Sequence, residues 1–468
     1  MNALNIFINR KKFSNNNYFY VANLGSKLNQ KNFSNNLTRL VKARKYMIND
    51  IISIDKKKNE NEVEYNYGHG NPANVNMLMD TKKEINKLLT TKELSKYNSA
   101  LGSKKENLLK FLHSQNIYYD NYKEITVNNI VPTNSVTNAF DLVLKTICRE
   151  HDVVLFTAPC YGLFTYMPER VGATTKFIKL RKEDNYLINP ELLKLEIIKI
   201  NKNLAKKYIN LDYTPRVVAF VNENPHNPIG SVISSDKVNL IKELNKVCYE
   251  TSTFIIDDLV YQGTEYNQDK KALPLAVFPK YFSNVISLFG VSKAFSIPGV
   301  RVGFIVANDK LIYEIRNHIF YSMDSYSLLN EVILSSIFNK DTYQRKEQQK
   351  LLNHNIDLYI KNMNIINKFI ASKKNKVKKI ECLNLESGFF YILDFTEYKN
   401  TKYKNYKIKS EKDLLCFLYE YGNIRFVTGE AIAWPDKSML IGRITFSDST
   451  EKLIKFLKVL NDTLSLLR

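Results

Sequence analysis

Short apolar runs alternate along the chain with longer stretches whose apolar residues recur at helical spacing. The runs Ile125–Val131, Val153–Thr157, Val217–Asn222, Thr253–Ile256, Val285–Phe289 and Val302–Ala307 read as strands, several of them apolar at successive residues as buried strands are. Ala139, Leu142, Val143 and Ile147 repeat at helical spacing, so the turn Pro132–Thr137 opens an amphipathic helix reaching about Glu150. A second helix is expected at about Ser235–Tyr249. From Lys310 the texture turns helical, with its longest run at roughly Thr342–Ser372, before Ser387–Asp394 and Ile441–Phe446 return to strand character. Strands alternating with helices over 468 residues give room for one large α/β domain and a smaller one.

Chemistry concentrates where these runs end. Lys293 follows the hydrophobic run Val285–Phe289, a placement that desolvates an amine and lowers its pKa, as a Schiff-base lysine requires. Arg301 comes eight residues later, after a Pro298-Gly299 turn and before the next apolar run. A lysine for an aldehyde and an arginine for a phosphate suit pyridoxal 5′-phosphate (PLP). Taken alone, the same residues also make an ordinary basic turn between two strands. The loop Glu223–Gly230 holds two Asn-Pro steps and a glycine, which force a rigid, non-helical path and fix where an amide side chain points.

Composition narrows the classes. The charge of +21 invites nucleic acid, but the lysines are spread along the chain among asparagines rather than gathered in a stripe, so no nucleic-acid partner is expected. Five scattered cysteines without CxxC spacing fit a reducing, cytoplasmic location, and with six dispersed histidines they give no metal site. No apolar run reaches 18 residues, so no membrane span is expected. Residues 1–49 lack Asp and Glu, as transit peptides do, yet their asparagine content reads better as an N-terminal arm over residues 1–55.

Four blocks together resemble the class I/II aminotransferases, a fold-type I family of PLP enzymes. Ser292, Lys293, Gly299, Arg301 and Gly303 match S-K-x-x-x-x-x-G-x-R-x-G; Asn224–Gly230 is similar to N-P-x-N-P-T-G, with Ile229 for Thr; Asp258 and Tyr261 fit D-x-x-Y; Arg443 to Phe446 resembles R-[IL]-S-F. Weaker matches are Gly68-His69-Gly70 to a G-x-G loop, Tyr97 to Y-x-x-x-x-G, Tyr161 to P-x-Y, and Ser135-Val136-Thr137 to G-[AS]-[ST] with Ser135 in place of glycine. The resemblance implies a large domain (residues 81–329) with a mostly parallel seven-stranded sheet between helices, and a small α/β domain from 56–80 and 330–468. It further implies that Lys293 carries PLP and acts as general base, and that Asp258 pairs with the pyridine nitrogen. Asn227 and Tyr261 would meet the 3′-oxygen, and Tyr161 would stack on the ring. Ser135, Val136, Thr137, Ser292 and Arg301 would hold the phosphate, joined by Tyr97 from the other subunit of a homodimer. Gly70, Asn227 and Arg443 would face the substrate, Arg443 on its α-carboxylate. Transamination between an L-amino acid and a 2-oxo acid is the implied activity. A PLP lyase, an oxygen-using oxidase and, more remotely, a DNA-binding regulator share the same cofactor residues. Arg316 is a candidate reader of an acidic side chain, or else a solvated helix arginine.

Overall fold

The computed structural model describes residues 64–75, 78–99, 102, 104–117, 124–339, 346–372 and 375–468. Seven strands form its large sheet: β1 (Ile130–Thr133), β2 (Val153–Ala158), β3 (Thr174–Lys179), β4 (Val217–Glu223), β5 (Phe254–Asp258), β6 (Val285–Gly290) and β7 (Gly303–Val306). They lie in the order β1-β7-β6-β5-β4-β2-β3, and β7 alone runs against the other six. Strands β2 and β4 are buried at every residue, which is why their sequences are apolar on both pleat faces rather than alternating.

Helices cover both faces. Val154, Phe156, Ile256, Ile286 and Ile305 pack under α1 (Val136–Ile147), while Leu155, Phe220, Ile255 and Phe289 pack under α2 (Pro190–Lys207) and α3 (Val238–Glu250). The first face also takes Ile312, Ile315 and Ile319 of α4 (Asp309–Met323). Helix α5 (Lys346–Ala371) leads to a four-stranded sheet: β8 (Lys378–Lys379), β9 (Phe390–Asp394), β10 (Val427–Thr428) and β11 (Ile441–Thr445), in the order β10-β11-β9-β8. Helix α6 (Thr450–Leu464) packs with this sheet through Leu453, Phe456, Leu457 and Leu460. All strands of the large sheet fall between residues 130 and 306, and those of the small sheet between 378 and 445.

Several expected boundaries move by a few residues. The first strand begins at Ile130 rather than Ile125, because the Asn129 side chain accepts from the Thr126 N–H and the Thr126 hydroxyl from the Asn128 N–H, which winds Val127–Asn129 into a 3-10 turn. Helix α1 ends at Ile147, three residues before the expected Glu150.

Candidate active site

Strands β2, β4, β5 and β6 are neighbours and parallel, so their carboxyl ends open at one edge of the sheet, where ligands of open α/β sheets bind. Each delivers one expected side chain past its last residue: Tyr161 after β2, Asn227 after β4, Tyr261 after β5 and Lys293 after β6. The same edge receives the turn into α1 and the start of the antiparallel β7. From the other side come the Gly68–Gly70 loop and Arg443, which sits in the interior strand β11 between Ile392 and Val427.

A cavity of about 540 Å³ lies between these parts, lined by Gly70, Ser135, Val136, Thr137, Tyr161, Asn227, Asp258, Tyr261, Ser292, Lys293, Arg301 and Arg443. Every expected site residue except Tyr97 therefore meets in one place. The volume falls within the usual range for cofactor and small-molecule sites.

The electrostatics follow from burial. The Lys293 ammonium donates to the Gly70 carbonyl at 2.6 Å. Burial, with repulsion from Arg443 and Arg301, lowers its pKa to about 8. Asp258 accepts from the Val260 N–H at 3.0 Å, and burial, with a smaller push from Asp257, raises its carboxyl to about 7. A buried carboxylate in that state is short of a cation. Arg443 is 6% exposed, donates to Asn227 Oδ1 (3.3 Å) and the Gly68 carbonyl (3.2 Å), and stacks 4.0 Å from the Phe390 ring. Its Nε is buried without a hydrogen-bond partner, a donor waiting for an anion.

The turn into α1 retains its backbone despite the missing glycine. Ser135 adopts φ 86° and ψ 163°, a region otherwise reserved for glycine, and its hydroxyl caps the Asn138 N–H at 3.4 Å. The N–H groups of Val136 and Thr137 thus sit in the first helical turn, where no intrahelical carbonyl can receive them and an anion can. Gly303 of β7 abuts this turn: a Cβ there would lie 2.7 Å from the Phe289 carbonyl oxygen and 3.2 Å from the Val136 nitrogen. With Arg301 also lining the cavity, these groups fit a phosphate, and Asp258 fits a protonated ring nitrogen.

Asp257 lies outside the cavity, as strand alternation requires. It is buried, accepts from Asn222 Nδ2 and the Leu275 N–H, both at 2.8 Å, and anchors β5 to its surroundings. Tyr97 is 90% exposed and far from contributing to this cavity, on a loop held by Asn98 through the Tyr326 carbonyl and Glu331. Arg316 does not line the cavity either; its guanidinium lies over the Tyr313 ring on α4. Sequence reasoning missed Glu223, Arg425 and Phe390. Arg425 pairs with Glu64 at 2.9 Å and Tyr419 at 3.0 Å. Glu223 follows Asn222 at the end of β4, where an acid in sequence reads as an ordinary solvated strand end.

Fold and site together define a PLP-binding α/β protein of the fold-type I class. The aminotransferase class I and II family profile matches residues 61–460, and the chain belongs to that family. That family is PLP-dependent. A histidinol-phosphate aminotransferase of Colwellia psychrerythraea is 28% identical over 198 residues, 42% of this chain and about half (48%) of that protein. An aspartate aminotransferase of Musicola paradisiaca is 20% identical over 362 residues, 77% of this chain and 80% of that one. The crystal structure of the aspartate aminotransferase from Rhizobium meliloti shares the fold, with a TM-score of 0.73 at 15% identity over 95% of this chain and 98% of that one.

Proposed function

We propose that this chain is a PLP-dependent aminotransferase moving an amino group between an L-amino acid and a 2-oxo acid. The observation that carries the reading is a single cavity lined by Lys293, Asp258 and Arg443, with the lysine's pKa near neutrality and the arginine's Nε unpartnered. When bound, PLP supplies an aldehyde that joins to amines and a ring that withdraws electrons from the substrate α-carbon. Lys293, buried in the cavity with a lowered pKa, would hold PLP through its aldehyde and would serve as the base for the proton on the substrate α-carbon. Asp258 would face the ring nitrogen and favour its protonated form, a pairing suited to its own burial. Arg443 grips the α-carboxylate through its planar fork, with Asn227 and Phe390 fixing the fork's orientation. Val136, Thr137, Ser135, Ser292 and Arg301 would hold the phosphate, with Tyr161 against the ring and Tyr261 at its 3′-oxygen.

The same reading carries a cytoplasmic homodimer. The exposed Tyr97, with Tyr313, Phe320 and Tyr321 exposed on α4, supports a second copy packing there and lending Tyr97 to the neighbouring phosphate. Among the described residues no helix is long and apolar enough to cross a membrane, and all five thiols are free. The test is a single turnover with PLP-loaded protein and a panel of L-amino acids, without an oxo-acid acceptor. One equivalent of 2-oxo acid per site, with neither ammonia nor hydrogen peroxide, is expected. Ammonia or peroxide in step with the oxo acid would contradict transamination and favour the lyase or oxidase reading.

A further inference from the structure

We infer that Glu223 is a positioning residue that sets the width of the cofactor slot, holding the backbones of Tyr161 and Asn227 on one carboxylate. The inference rests on the PLP reading of the cavity. Glu223 is the last residue of β4, is 5% exposed and lines the cavity. Its Oε1 accepts from the Tyr161 N–H at 2.9 Å and its Oε2 from the Asn227 N–H at 3.1 Å. Tyr161 stands in the loop after β2 and Asn227 in the loop after β4, so one side chain ties together the two loops that carry the ring-stacking and 3′-oxygen groups.

The choice of a carboxylate is informative. Two converging N–H donors call for two acceptor oxygens, which a carboxyl group supplies. A glutamine has one acceptor oxygen and turns its NH2 toward one of the two N–H groups. Burial and the neighbouring Asp258 push the Glu223 carboxyl up to about 8, while the two N–H donors and Arg443 pull against that rise. The tie stands on the cavity wall, so the geometry it sets is that of the ligand site. The arrangement also extends beyond the slot. Asn227 takes its backbone position from Glu223 and offers its side-chain oxygen to Arg443, so the cofactor slot and the carboxylate site share one tether.

The experiment compares wild-type protein with Glu223→Gln and Glu223→Ala, each titrated with PLP. Three quantities are read: the PLP dissociation constant, the pH midpoint of the bound cofactor's visible absorbance, and the unfolding temperature of the cofactor-free protein. Glu223→Gln is expected to weaken PLP binding by about tenfold or more and to move the absorbance midpoint, with the cofactor-free unfolding temperature changed by no more than a few degrees. Formate, but not chloride, is expected to restore PLP affinity to Glu223→Ala, since it returns two acceptor oxygens to the same place. Glu223→Gln with wild-type affinity and midpoint would overturn the inference. So would losses explained by unfolding alone, or a Glu223→Ala protein indifferent to formate, which also decides the matter if the Gln variant does not fold. Wild-type protein that binds no PLP would remove the functional reading and this inference with it; wild-type binding matched by Glu223→Gln removes only the inference.

Discussion

Asp257 and Asp258 are neighbours in one strand and have opposite destinations. The pleat sends Asp258 into the cavity and Asp257 into contacts with Asn222 and Leu275. Alternation made this legible before any coordinates, because only one of two consecutive strand residues can face a given side. What the sequence left hidden was how tightly Asp257 is held, since its partners lie 35 and 18 residues away. Replacing Asp258 by Asn is expected to keep the fold and PLP binding while lowering turnover on the order of 10³-fold, measured as steady-state kcat. For Asp257 the readout is stability. Burial raises its carboxyl from 3.8 to about 7, so its contribution is fully present below the lower value and is lost as pH rises through the upper one. The cofactor-free wild-type protein should therefore lose more unfolding temperature between pH 5 and 7.5 than Asp257→Asn does. An equal or steeper fall in the variant would contradict this. Glu223 escaped the sequence reading because a buried acid at a strand end looks the same as a solvated one until its N–H partners are placed.

At the scale of elements, the turn into α1 carries a serine in a backbone shape that suits glycine. Ser135 occupies φ 86°, where a glycine would be unstrained. Such a conformation costs about 1–3 kcal/mol for a residue with a side chain. Ser135→Gly is expected to stabilise the protein by about 1 kcal/mol, after the lost cap and glycine's added chain entropy are subtracted, with PLP affinity retained. Chemical denaturation measures it, and a destabilised variant would show the Ser135 hydroxyl to matter more than its backbone. Gly303 behaves oppositely. Its missing side chain lets β7 approach the turn, and Gly303→Ala should lower PLP affinity by driving the Phe289 carbonyl and the turn apart. The strand ends were less legible than the strands themselves, because caps such as Thr126 with Asn129 act through local side-chain bonds that hydrophobic patterning does not record.

For the whole molecule, the carboxyl edge of the seven-stranded sheet, the Gly68–Gly70 loop and the four-stranded sheet with Arg443 meet at one cavity. The family motifs made this gathering legible, whereas Arg316 was proposed from sequence position alone and lies on an outer helix away from the cavity. Tyr97 belongs to the same scale, since its exposed ring gains a role only in an assembly. Mixing inactive Lys293→Ala subunits with Tyr97→Ala subunits should raise activity above that of either parent, because each mixed dimer regains one site with both groups intact. No gain on mixing would place Tyr97 outside the partner's site. The account as a whole stands on Lys293, and borohydride reduction of PLP-loaded protein followed by peptide mass mapping tests it most directly. The account predicts a single reduced pyridoxyl group on Lys293, lost in Lys293→Ala; the same label on another lysine, or none, would contradict it.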